Sequence, residues 1–176
     1  MKTKTEVYKM DIKKMTLAAL LVAVAVAASP LSIPLGAAKV FPVQHVVNVV
    51  SAVLLGPVYA VMQAFLTSLI RNMAGTGTLL AFPGSMVGAL LAGILHEKLN
   101  NGGKVSLIPA FIGEVFGTGI LGAIAAYPIA TLIMGKNAAV FAYVVPFLLS
   151  TLTGSIIAFI ILKAIQGTGL LGTNSK

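Results

Sequence analysis

Four groups of polar side chains interrupt an otherwise apolar chain, and each is a candidate for ligand chemistry. Glu114 lies seven residues into the run that starts at Leu107, on the order of 10 Å deep at 1.5 Å rise per residue. An acid at that depth is costly unless it is paired. It reads as a ligand acceptor or a partner for Arg71 across a bundle, or else as a structural ion pair or a protonated acid. Gln44, His45 and Asn48 stand near the start of another run, with His45 and Asn48 at i, i+3 on one helical face. Arg71 and Asn72 close a third run and lead into Met73-Ala-Gly-Thr-Gly-Thr-Leu-Leu-Ala-Phe-Pro-Gly-Ser-Met86. There Thr76, Thr78 and Ser85 offer hydroxyls, Phe82 offers a ring, and the glycines allow sharp bends. The segment suits a small polar ligand; its bland alternative is a loop with a helix N-cap at Ser85 or Gly84. Tyr127, Asn137 and Tyr143 border the ends of the last two runs, where aromatic residues commonly anchor at the lipid interface.

Other chemistry is missing. With no Cys, two His and four acids, no cluster supplies the three or four ligands of a zinc site, and no serine–histidine or paired-carboxylate pattern stands out. Neither a metal nor a cofactor is expected. His96 and Glu97 end the fourth run and read as solvated interfacial groups. The G-x-G-x-x-G strings at Gly117–Gly122 and Gly167–Gly172 lack the flanking strand, helix and acid of a dinucleotide site, so they read as helix packing and a flexible end. No Walker A string occurs; the chain is not expected to hydrolyse ATP or to be an enzyme.

The elements that must hold these groups follow from composition. Of 176 residues 58% are apolar and 9% charged, and mean hydropathy is +1.02; a soluble domain carries about 25% charged residues. The expectation is an all-α membrane protein. Net charge is +8, but the basic residues sit at the ends of apolar runs without interleaved aromatics, which excludes nucleic-acid binding. A bilayer-spanning helix takes roughly 20 apolar residues. Six candidates emerge: Met15–Leu31, Gln44–Leu55, Val58–Asn72, Phe82–Leu95, Leu107–Met134 with a break at Tyr127-Pro128, and Ala139–Ala164. The opening stretch starts like a signal peptide but lacks a small-x-small cleavage site, so it is kept as a helix. Residues 1–176 form a single integral membrane domain: a cytoplasmic segment to about residue 14, six helices over 15–165, and a cytoplasmic tail over 166–176. With both termini inside, Lys2, Lys4, Lys9, Lys13, Lys14, Lys98, Lys104, Lys163 and Lys176 lie inside, against Lys39, Arg71 and Lys136 outside, as the positive-inside rule asks.

Small residues recur at four-residue spacing. Ala19, Ala23 and Ala27 draw one stripe along the first helix, suited to close approach by another helix in lipid, inside the bundle or in a second protein. Gly84, Gly88 and Ala92, with Gly113 and Gly117, repeat the spacing and read as internal packing.

Six short spans, a basic start and the alanine stripe resemble the substrate-binding (S) components of energy-coupling factor (ECF) transporters. Lys39-Val-Phe-Pro-Val-Gln-His-Val-Val-Asn48, Leu55-Gly-Pro-Val-Tyr-Ala60 and above all Arg71 to Gly93 resemble the ThiW family. That resemblance implies uptake of the thiamin precursor hydroxyethylthiazole across a prokaryotic plasma membrane. It also implies a transmembrane coupling protein docked on Ala19, Ala23 and Ala27, and two ATPase subunits. The outer loop around Pro34 to Pro42 would cover the pocket, and the bundle would tip to release ligand inside. For such a ligand, His45, Asn48 or Gln44 would donate to the ring nitrogen, Glu114 or Asn72 would partner the hydroxyl, and Phe82 or Tyr127 would stack on the ring. The alternatives are an S component for thiamin or another vitamin precursor, a small channel, or a membrane-embedded enzyme. Thiamin is cationic and would favour a carboxylate cluster with aromatic cages, which this sequence lacks.

Overall fold

Prolines and glycines set most of the helix boundaries. The computed structural model describes residues 11–35, 38–100 and 105–168. The expected N-terminal segment to Lys9, Lys104 and the tail from Gly169 to Lys176 lie outside the described residues. Helix α1 (Ile12–Ala27) is capped by the Asp11 carboxylate, which accepts from the amides of Lys13 and Lys14. It ends before Leu31 because Pro30 forces a single 3-10 turn over Ser29–Leu31. A short antiparallel hairpin, β1 (Ile33–Leu35) and β2 (Ala38–Val40), follows, with Ile33 opposite Val40.

Helices α2 (Pro42–Leu55) and α3 (Pro57–Met73) each start on proline, whose missing N–H is unused in a first turn. Gly56 alone joins them at φ +88, a region that side-chain-bearing residues avoid. Helix α4 spans Ala81–Leu99. Helix α5 runs unbroken over Ile108–Ile133, with π-helical turns at Gly117–Gly122 and Ile129–Ile133. The expected break at Tyr127-Pro128 is absent. Pro128 takes a helical φ of −62, and the π-helical turn over Ile129–Ile133 follows it directly; such local adjustment makes proline tolerable in such helices. Helix α6 (Val144–Gly167) begins five residues later than expected. Pro146 falls in its first turn, where an N–H has no intrahelical acceptor, and Ala139 to Tyr143 form turns instead.

Helix α4 occupies the centre, against α2, α3 and α5; α1 lies at the edge on α2 and α3. Glycine lets α4 and α5 touch backbone to backbone. A Cβ on Gly113 would sit 2.6 Å from the Ala92 Cα, on Gly117 2.8 Å from that of Gly88, and on Gly122 2.5 Å from that of Gly84. The contacts are spaced by four residues on α4 but by four and then five on α5. The π-helical turn supplies the extra residue that keeps Gly122 on the seam.

Polarity is inverted relative to a soluble protein. Gln44, Asn48, Gln63 and Glu114 are buried, whereas Leu132, Ile133, Phe141, Val145 and Ile160 are more than 60% exposed. Among the described residues two helices, α5 with 26 residues and α6 with 24, are long and apolar enough to cross a membrane. Apolar outside and polar inside is the arrangement that lipid rewards; this is a membrane protein. Tyr143, expected at the interface, is instead buried with Leu80, Ala123, Ala126 and Ala130 and lies 6.3 Å from the Phe147 ring. His96 is likewise buried and meets Asn100 at 3.0 Å, while Glu97 is exposed.

Candidate functional site

At one end of the bundle the start of α2, the end of α3, the following loop and the starts of α4 and α6 converge on a cavity of about 50 Å³. Its lining includes Phe41, Gln44, His45, Arg71, Thr76, Thr78, Ser85, Thr118, Phe147 and Ser150. Rings thus face a set of polar groups, the composition expected of a small-molecule site.

Arg71 organises one wall. Its Nε donates to Ser29 Oγ at 3.1 Å, one Nη to Gln44 Oε1 at 2.5 Å and the other to the Thr76 carbonyl at 3.3 Å. The Phe41 ring lies 3.6 Å from the guanidinium carbon, a cation–π contact. Phe41 is held in turn by its own N–H, which donates to Ser150 Oγ at 2.9 Å. Helical spacing places Gln63, Thr67 and Arg71 on one face of α3, and Gln63 donates to the Thr67 hydroxyl.

Glu114 anchors the floor. It is fully buried, and its Oε1 lies 2.8 Å from His45 Nδ1, 3.1 Å from Asn48 Nδ2 and 3.0 Å from Thr118 Oγ1. Gly88 makes room for it, since a Cβ there would meet both Thr118 Oγ1 and Glu114 Oε2. A hydrogen-bonded path links the two walls. Gln44 donates to Ser68 Oγ, which meets Ser85 Oγ at 3.1 Å; Asn48 then bonds both the Ser85 carbonyl and Glu114.

Of the residues singled out in the sequence, Gln44, His45, Arg71, Thr76, Thr78 and Ser85 line the cavity, whereas Asn48, Asn72, Phe82, Glu114 and Tyr127 do not. Asn48 and Glu114 lie one layer behind, supporting His45 and Ser85. The Asn72 amide is occupied in closing the loop, donating to the carbonyls of Ser68 and Thr78. Phe82 turns away to pack on Phe65, 5.7 Å between ring centres; Tyr127 lies beyond the cavity on α5. The Glu114–Arg71 pairing does not form: His45 takes the carboxylate, and Arg71 bonds Ser29, Gln44 and Thr76. Phe41 and Phe147 supply the rings instead, and no local spacing points to either. Thr118 was within reach, four residues after Glu114 on the same helical face. The Gly117–Gly122 string is helix packing. Among the described residues no group of three His, Cys, Asp or Glu could hold a metal ion. Ala19, Ala23 and Ala27 all face outward, exposed.

No curated protein and no solved structure matches the chain. The model of one family, thiamine-precursor transporter protein (ThiW), matches residues 15–168. That match takes in every helix from the first full turn of α1 to the end of α6, the cavity and its supporting layer included; the chain belongs to the ThiW family and is a thiamine-precursor transporter component.

Proposed function

We propose that this protein is the ligand-capturing S component of an ECF-type importer, taking hydroxyethylthiazole from outside a prokaryotic cell through six spans with both termini cytoplasmic. The observation that carries the reading is the cavity between Phe41, Phe147, His45 and Arg71. It offers two rings to stack on a small heteroaromatic and a few fixed polar groups to orient it. Lys14, Lys98 and Lys163 lie toward the opposite end of the bundle, and the positive-inside rule then turns the cavity outward. The β1–β2 hairpin leads directly into Phe41 and is the element suited to cover the ligand.

The motor is external. The sequence carries no nucleotide site, so ATP is hydrolysed by two partner ATPases and the force enters through a transmembrane coupling protein. The outward stripe of Ala19, Ala23 and Ala27 is the docking surface for that protein, because small side chains let a second helix approach closely.

Mass spectrometry of small molecules released from freshly purified, denatured protein tests the ligand: the thiazole alcohol is expected, and a different heterocycle would replace it. Ala23→Leu tests the docking surface. Uptake by the assembled complex should be lost while ligand binding by the isolated subunit is retained; loss of binding would mean that the stripe packs within this chain.

A further inference from the structure

We propose that Glu114 acts as the counter-charge of Arg71 and thereby makes His45 a hydrogen-bond acceptor, so that the cavity selects a neutral ligand carrying one donor and one acceptor. For its ligand the inference rests on the thiazole-alcohol reading above.

The argument begins with charge. Arg71 is buried, and a guanidinium stays protonated in a protein. Its partners Ser29, Gln44 and Thr76 are all neutral. The other buried histidine and carboxylate groups at this end, among the described residues, are His45 and Glu114. A net charge sealed in an apolar surround is strongly disfavoured. The state of zero net charge has Arg71 positive, Glu114 ionised and His45 neutral. The path through Gln44, Ser68, Ser85 and Asn48 links the two charges without direct contact. Because the Asn48 Nδ2 can only donate, Oε1 itself carries no proton.

With Glu114 ionised and the ring neutral, the His45 proton must sit on Nδ1, which lies 2.8 Å from Oε1. The remaining nitrogen, Nε2, has a bare lone pair and no partner among the described residues. Because His45 lines the cavity, that lone pair is offered to a ligand. Arg71 also lines the cavity, and three of its five N–H donors are taken, which leaves two for a ligand. The site therefore has an accepting pole at His45 and a donating, positive pole at Arg71. A hydroxyl donates to the first and an sp² ring nitrogen accepts from the second. An N-alkylated azolium lacks that lone pair and is repelled by the guanidinium.

Two measurements on the full chain in detergent test this. Nitrogen NMR of histidine-labelled protein reads the ring directly. There are two histidines, and His96→Gln assigns them. Nε2 of His45 bare and Nδ1 protonated is expected; Nε2 protonated, in either charge state, overturns the proposal. In the second, binding of the thiazole alcohol is compared with its O-methyl ether and its N-methylthiazolium salt. Each analogue should bind at least about 100-fold more weakly, as sites built around a substrate hydroxyl reject its absence. An ether or a thiazolium that binds as well as the alcohol overturns the selectivity. If none of the three binds while Nε2 is bare, the ligand reading falls and the acceptor assignment stands.

Discussion

The α4–α5 seam and the outer face of α1 are written in the same pattern, small residues every four positions, and meet opposite fates. Gly84, Gly88 and Ala92 are buried against Gly122, Gly117 and Gly113; Ala19, Ala23 and Ala27 are exposed. A flat ridge gains dispersion contacts only when a second flat ridge faces it. Helix α5 supplies one, helped by its widened turn, and nothing among the described residues supplies one to α1. The same pattern therefore holds the bundle together in one place and remains unpartnered in the other. On α1 itself the division is clean: Val22 and Ala25 are buried, while Ala23 and Val24 beside them are exposed.

Substitutions can break or sharpen that contrast. Gly88→Leu should have the largest effect, because its side chain would enter the space held by Glu114 and Thr118. A loss above about 3 kcal/mol is expected, beyond the usual range for overpacking, seen as failure to recover monodisperse protein; normal thermal stability would mean that the seam is loose. Ala25→Leu, on the buried face of α1, should cost about 1–3 kcal/mol, read as a lowered melting temperature in detergent. Ala23→Leu, two residues away on the exposed face, should change stability by less than about 0.5 kcal/mol. Equal destabilisation by the two leucines would erase the difference between the faces of α1. Smallest of all, Ala19→Ser should leave the melting temperature within error, and a clear drop would show that the stripe is already packed.

The helices were legible because apolar runs and their punctuation are local properties: Pro42, Gly56 and Pro57 mark boundaries wherever the chain goes. Tyr127-Pro128 misled because a proline's effect depends on whether the helix around it can adjust, here through the π-helical turn at Ile129–Ile133. Within the site, Gln44, His45 and Glu114 declared themselves by being polar in an apolar background. Which of them touches the cavity was not local information. Phe82 and Phe41 are equally aromatic, and packing alone sends one to Phe65 and the other to Arg71. Asn72 shows the converse: a polar residue in the right place whose valence the loop itself consumes.

The Phe41 ring on the Arg71 guanidinium also has an optical consequence. The chain contains no Trp, so it is nearly dark when excited at the red edge of tyrosine absorption. Phe41→Trp would keep the stacking, since indole is the best ring for a cation, and would install a single lamp at the cavity wall. Its emission would report, without any added label, when a guest arrives at the wall that the ring forms.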